Sequence, residues 1–327
     1  MRLGDLQTIL AHYWPRRLNP HERLHEERLF DTEPGTKVLA RVHSFPAPRL
    51  GRERPTVLAV HGLTACDRAP YMLTTVTAAL RFGFDCVRLN VRNCGGTEHL
   101  CRTLYHSGLT SDLRAVVDAL SPRPLFILGF SMGGNIALKL AGEWAARPPP
   151  HVRGICAISP PIRLDVCSRN IGRRRNAVYE RRFLLQLRAT MRRKRVAMPE
   201  FFPAGPLPRP GSIWEFDDTI TAPAFGFSDA ADYYHNCSAA GFLDEVRTPA
   251  LVIQSQDDPF IPFEAFDVPA FRSNPWLRLA APPQGGHVAF LASGRDRFWA
   301  HAQAMRFFAS LTGPDWGAGP ASPGTPG

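Results

Sequence analysis

From residue 56 onward the chain repeats one pattern: a short apolar run, a loop, then an amphipathic stretch. The runs are "TVLAVHG" (56–62), "FDCVRLNVR" (84–92), "PLFILGFS" (124–131), "RGICAIS" (153–159), "PALVIQS" (249–255) and "WLRLAAP" (276–282). They are brief, rich in aliphatic and β-branched residues and bounded by Gly or Pro, the signature of parallel strands buried on both faces. Between them, "YMLTTVTAALRFG" (71–83), "TSDLRAVVDAL" (110–120) and "MGGNIALKLAGEWAA" (132–146) carry helical periodicity. Alternating strand and helix predicts a mostly parallel central sheet with helices on both faces, joined by right-handed crossovers. Ahead of it, "EERLFDTEPG" and "TKVLARVHSF" read as an antiparallel pair turning at Pro34-Gly35.

One connection breaks the rhythm. Between "GICAISPP" and "ALVIQS" lies far more chain than the dozen or so residues a crossover needs. The pattern therefore divides the chain into a core from 1 to 161, a large helical lid-like insertion from 162 to 246, a second core part from 247 to 313, and a flexible tail from 314 to 327. Inside the insertion, Tyr179, Phe183, Leu187 and Met191 recur every four residues, one apolar stripe on a strongly basic helix. Five prolines from Pro199 to Pro210 then stop helical structure.

Composition narrows the picture. Hydrophobic residues make up 44% and charged residues 21% of the 327, which belongs to a compact globular chain. The net charge of +10 points toward polyanions or an anionic membrane surface. Yet residues 163–195 hold twelve basic side chains against Asp165 and Glu180, so the excess sits wholly in the insertion. Only Lys37, Lys139 and Lys194 are lysines, and arginine-rich codon usage alone would produce such a bias. Seven scattered cysteines lack zinc-site spacing and read as buried thiols in a reducing compartment. With no apolar leader and no run approaching a membrane span, a cytoplasmic protein is expected, one able to touch a membrane surface.

The chemistry follows from Gly129-Phe130-Ser131-Met132-Gly133, set between a strand and a helix. That context makes the motif a nucleophile elbow: the flanking glycines relieve backbone collisions and leave the serine oxygen exposed. A serine hydroxyl needs a base, and the base a carboxylate to fix its tautomer. His287, in the glycine-flanked loop "PPQGGHVAF", is the expected base; His301 lies on a helix whose apolar residues account for it. The acid falls in "QDDPFIP", where either Asp257 or Asp258 could serve and Asp258, ahead of Pro259, is preferred. Its neighbour is then a loop-structuring residue, and one of the two should face solvent. Backbone N–H groups of Leu63 and Met132 are the expected oxyanion donors. A serine nucleophile excludes relatives that use aspartate, and the scheme needs neither metal nor cofactor.

These residues resemble the type 4 branch of the AB-hydrolase superfamily, the bacterial YheT-like hydrolases and related eukaryotic ABHD-type lipid hydrolases. "GDLQTIL", "HGLTACDRAPYM", "VRNCGGT" with "YHSGLTSDL", "EFDDTITAPAFGFSDAADYYHNCS" and "DDPFIP" with "GGHVAF" carry the likeness. Asp5, Ala65 and Asn93 depart from it, where His, Gly and Gly are usual. The resemblance implies the α/β-hydrolase fold, a triad at Ser131, Asp258 and His287, and hydrolysis of short- to medium-chain acyl or lipid esters. In some members it implies acyl transfer to an alcohol. A non-catalytic lipid-binding relative is the remaining class, against which the intact Ser, Asp and His speak.

The insertion is then expected above Ser131, with Tyr179, Phe183, Leu187 and Met191 toward an acyl pocket and the arginines toward water. It is either a solvated face or a dock for anionic lipid headgroups. Nucleic acid is not an expected partner, because an interleaved apolar stripe needs a core or a bilayer.

Overall fold

The computed structural model describes residues 3–16, 18–44, 54–202, 208–294 and 296–313. Eight strands among them form one sheet in the order β1-β2-β4-β3-β5-β6-β7-β8. β1 (Glu26–Glu33) and β2 (Thr36–His43) form the expected antiparallel pair around Pro34-Gly35, with Gly35 at φ 74°. β2 runs antiparallel to β4 (Asp85–Leu89). Every later pairing is parallel: β4 with β3 (Thr56–Val60), β3 with β5 (Leu125–Phe130), then β6 (Val152–Ile158), β7 (Ala250–Ile253) and β8 (Leu277–Ala280). The longer helices are α1 (Leu3–Tyr13), α2 (Pro70–Arg81), α3 (Ser111–Ala119), α4 (Met132–Trp144), α5 (Leu164–Ile171), α6 (Ala177–Ala197), α7 (Ala230–Cys237) and α8 (Trp299–Ser310).

The two-residue period of a strand divides each apolar run between two cores. Leu58, Val60, Leu125, Ile127, Ile155 and Val252 point into one, filled from α3 and α4 by Val116, Ile136 and Leu140. Val57, Ala59, Phe126, Leu128, Cys156 and Leu251 point into the other, filled from α2 and α8 by Met72, Val76, Met305 and Phe308. Burying both faces explains why the runs are continuous rather than alternating. Their apolar character also overshoots the strands: β3 ends at Val60 and β5 at Phe130, and the next residues turn into loops at the carboxyl edge.

Between β6 and β7 the chain builds α5, α6, several short helical turns and α7 across that edge. Leu184, Leu187, Ile213, Phe216 and Ile220 make one small core beneath α6, and Leu164, Ala222, Tyr233 and Tyr234 make another around α7. α6 ends at Ala197, ahead of Pro199. The expected tail, 314–327, lies outside the described residues, as do 203–207 of the proline-rich stretch. On α6, Arg181, Arg182, Arg192 and Arg193 are exposed, whereas Lys194 is fully buried and donates to the carbonyls of Glu98 and Cys101, because the helix carboxyl end packs onto residues 98–101.

Candidate active site

Ser131 stands between β5 and α4 with φ 50° and ψ −122°, a conformation that costs a non-glycine residue on the order of 1–3 kcal/mol. The surroundings hold it there: its N–H donates to Ile158 O at 2.8 Å and its carbonyl accepts from Gly134 and Asn135. A Cβ at Gly129 would run into the Gly133 backbone, and one at Gly133 into Val60 O, which is why both flanks are glycine.

The structure brings Ser131, His287 and Asp258 into one line. His287 Nε2 lies 3.1 Å from Ser131 Oγ, and His287 Nδ1 lies 2.9 Å from Asp258 Oδ2. The Asp258 carboxylate is enclosed, its Oδ1 accepting from the N–H groups of Phe260 (2.8 Å) and Ile261 (3.0 Å) in the turn after Pro259. Those donors fix the carboxylate and aim its second oxygen at the ring. Phe260 covers the imidazole, with ring centroids 4.6 Å apart. A serine hydroxyl so placed can pass its proton to the ring while the carboxylate steadies the resulting charge.

Asp257 turns out differently from expectation. It does not face solvent: half-buried, it accepts from Gly285 N–H (2.8 Å) and Gly286 N–H (2.9 Å), tying the histidine loop to the acid loop. His301 is buried on α8 with Nε2 3.0 Å from Tyr71 O and its ring packed on Phe130, and it has no hydrogen bond to Ser131 or Asp258.

The loop after β3 is pinned on both sides of Leu63. Gly62 N–H donates to Tyr71 Oη at 3.0 Å and Thr64 N–H to Tyr105 Oη at 3.2 Å. His61 fixes the strand end, with Nδ1 2.8 Å from Gly62 O and Nε2 accepting from Val91 N–H at 3.0 Å. Burial pushes that imidazole down to about 4, so it is neutral, with Nδ1–H the donor. Among the described residues the N–H groups of Leu63 and Met132 donate to no other group. Two unengaged N–H groups near a half-buried hydroxyl that opens onto a cavity can receive a developing oxyanion.

Two cavities open onto Ser131 and His287, sharing Leu63, Phe183 and Phe260. One, of about 110 Å³, is lined mostly by apolar groups, among them Leu104, Leu164, Ile171, Leu187, Met191 and Ile213. The other, of about 360 Å³, reaches past Tyr179 and α1. All four stripe residues of α6 thus border a cavity: Leu187 and Met191 the first, Tyr179 the second, Phe183 both. The first ends against Asp217, Tyr233 and Tyr234; burial pushes the Asp217 carboxyl up to about 6.

A family model described as the alpha/beta hydrolase fold matches residues 55–293. The chain belongs to the α/β hydrolase family. Its relatives include "Putative esterase YheT" of Escherichia coli (strain K12), 34% identical over 251 residues, 75% of this chain and 73% of that protein. Mouse "Phospholipase ABHD3" is 30% identical over 73% of this chain and 59% of its own length. The "Monoacylglycerol lipase" of Saccharomyces cerevisiae is 27% identical over 80% of this chain and 60% of its own. An esterase of Pyrococcus furiosus shares the fold at a TM-score of 0.56, with 17% identity over 91% of this chain and 97% of that one.

Several residues that shape the site in this α/β hydrolase were not singled out from the sequence. Thr8 Oγ1 on α1 accepts the His287 N–H at 2.8 Å, and Gln7 Oε1 accepts that of Leu291 at 3.2 Å. The approach is close: a Cβ on Gly286, at φ +60°, would stand 2.5 Å from Gly4 O and 2.7 Å from Thr8 Oγ1. Asn170 Nδ2 donates to the carbonyls of Pro259 and Phe260 at 2.9 Å, and Asn176 Nδ2 to that of Pro259 at 2.9 Å, joining the insertion to the acid loop. The only signal available was the family-like "GDLQTIL" and "APYM", whose roles are visible only in three dimensions.

Proposed function

We propose that this protein is a serine hydrolase that cleaves carboxylic esters through an acyl-enzyme. His287 Nε2 takes the Ser131 proton as Oγ attacks the ester carbonyl, and the Leu63 and Met132 N–H groups hold the oxyanion. Collapse breaks the bond to the alkoxy oxygen, which leaves as an alcohol carrying the proton from Nε2. A water then gives its proton to the same nitrogen, adds to the acyl carbon, and releases the acid and Ser131. The observation that carries this reading is the unbroken line Ser131 Oγ, His287, Asp258 at 3.1 and 2.9 Å.

Residues 162–246 act as the lid in this scheme, with Phe183, Leu187 and Met191 receiving the acyl chain. Exposed Val178 and Leu185 beside Arg181 and Arg192 on the outer side of α6 support peripheral contact with an anionic membrane surface. No helix among the described residues is long and apolar enough to cross a membrane. A cytoplasmic location fits the seven unpaired cysteines. The wider cavity also admits an alcohol in place of water, and ester formation with added ethanol, read by product analysis, separates acyl transfer from hydrolysis.

The test is labelling with a fluorophosphonate together with turnover of p-nitrophenyl butyrate. Wild type is expected to label and turn over, and a folded Ser131→Ala protein to do neither. Full activity in that variant overturns the mechanism.

A further inference from the structure

The turn that carries Leu63 is held from two sides, and one of them belongs to the insertion. Ala65 N–H donates to Gly62 O at 3.2 Å and closes a turn with Leu63 and Thr64 at its centre. Thr64 stands at φ 58°, in the left-handed region that glycine occupies freely and a β-branched residue avoids. A residue keeps such a conformation only where its surroundings hold it. Relaxation of Thr64 would turn the backbone of the whole four-residue turn, and the Leu63 N–H with it.

Two hydrogen bonds oppose that relaxation. Thr64 N–H donates to Tyr105 Oη at 3.2 Å, on the side of the main core, and Thr64 Oγ1 donates to Gln186 Oε1 at 2.7 Å, on α6. The second is the shorter and joins residues 122 positions apart. Gln186 has a rigid base: it lies between the buried Leu184 and Leu187, and Lys194 anchors the same helix to the carbonyls of Glu98 and Cys101. It borders the wide cavity beside Leu63 and Phe183, and its hydrogen bond runs to Thr64 rather than to Ser131 or His287.

We infer that Gln186 is a positioning residue for the oxyanion hole: by holding Thr64 in its left-handed conformation it fixes the turn that presents the Leu63 N–H to the reacting carbonyl. The insertion then supplies part of the catalytic geometry as well as a wall of the acyl pocket. This rests on the serine-hydrolase reading of Ser131, His287 and Asp258.

The experiment uses three substitutions. Gln186→Leu removes the acceptor while keeping side-chain length and helix propensity. Thr64→Val removes the donor and keeps the β-branched shape. Gln186→Glu retains an acceptor oxygen at the same reach. The readout is the affinity of two ketones that share a hexyl chain. With the trifluoromethyl ketone, Ser131 Oγ bonds to the carbonyl carbon, its proton passes to His287 Nε2, and the carbonyl oxygen becomes an oxyanion in the hole. The methyl ketone fills the same space without reacting. Loss of a whole oxyanion donor costs about 100- to 1000-fold, so a donor displaced but still present should cost about 10-fold. Gln186→Leu and Thr64→Val are each expected to lower trifluoromethyl ketone affinity, and kcat/KM for p-nitrophenyl butyrate, by about that factor, with methyl ketone affinity unchanged. Both remove the same bond, so the double variant should be no worse than either single one. Gln186→Glu should bind the trifluoromethyl ketone as wild type does.

Wild-type affinity in both single variants, an equal loss for the two ketones, or losses that multiply in the double variant, overturns the inference and leaves the hydrolase reading standing. Impairment of Gln186→Glu equal to that of Gln186→Leu does the same. If Gln186→Leu does not fold, Thr64→Val and Gln186→Glu carry the test. A wild type that neither hydrolyses the ester nor prefers the trifluoromethyl ketone removes the hydrolase reading, and the inference with it.

Discussion

Replacing Thr8 with valine isolates the contribution of α1 to the geometry around His287. Thr8 Oγ1 accepts the His287 N–H at 2.8 Å and donates to Gly4 O at 2.7 Å. Valine keeps the side chain's shape and has nearly the same helix propensity, so α1 should persist with no cavity created. What disappears is the acceptor, and a half-buried N–H left without one costs about 1–3 kcal/mol. The loop can recover part of that by shifting, which moves the imidazole away from Ser131 Oγ. If the whole penalty appears in the transition state, kcat falls about 5- to 150-fold. Thermal stability should drop by only about 2–4 °C per kcal/mol in a chain of this size. The assay is steady-state hydrolysis of p-nitrophenyl butyrate by wild type, Thr8→Val and Thr8→Ser, with melting followed by circular dichroism. Serine restores the hydroxyl and should restore kcat. Wild-type kcat in Thr8→Val, or equal impairment of Thr8→Ser, would refute the argument.

Acid should unfold the protein early. Burial holds His43, His61, His106 and His301 at about 4, below the ordinary 6.5. As pH falls the unfolded chain binds these protons first, so their stability is full above about 6.5 and is lost toward 4, on the order of 1–2 kcal/mol each by pH 5. Asp217 acts in the opposite sense: its carboxyl, raised to about 6, takes a proton in the folded state first and offsets about one of the four. A urea midpoint that does not move between pH 7 and 5 would contradict this balance. In the apolar cavity, Leu187→Trp should lower kcat/KM for p-nitrophenyl octanoate about tenfold or more while sparing the acetate, since added bulk in a packed wall costs about 1–3 kcal/mol. Equal losses on both esters would remove Leu187 from the acyl wall.

Much of this was legible from local pattern. The continuous runs at Val57–Val60 and Leu125–Phe130 declare strands buried on both faces, and each pairs in parallel where the alternation with helices puts it. The elbow at Ser131 is visible because its constraint is local: glycines two residues either side relieve clashes within one turn. The histidine and acid loops follow from chain order and turn residues. What stayed hidden depends on distant segments meeting. Nothing in "GDLQTIL" reveals that Thr8 will accept a hydrogen bond from a backbone group 279 residues away. The turn at Pro259 favours Asp258 over Asp257 as the acid, but nothing local shows that Asp257 will reach two glycine N–H groups of the histidine loop. The difference is set by the direction of each side chain in a turn that only the folded backbone defines.

The basic run of the insertion shows the same division within one segment. In the sequence Arg173 to Arg195 is a uniform block of charge, but its members meet different surroundings. Lys194 caps buried carbonyls of the 98–101 loop, Arg193 pairs with Glu98, and Arg188 donates to Pro210 O at 2.6 Å. Arg175 donates at 2.7 Å to Asn170 Oδ1, whose own amide holds the carbonyls beside Asp258. α6 is therefore fastened near both ends, to the acid loop through Asn170 and Asn176 and to the core through Lys194. Swinging it away from Ser131 would strand a buried ammonium and several buried amides, each at a cost of about 1–3 kcal/mol or more. These ties hold the segment against the core, and the larger cavity at Ser131 is lined by residues of both α1 and α6. Arg182 and Tyr179 of α6 line that side together with His12 and Arg16.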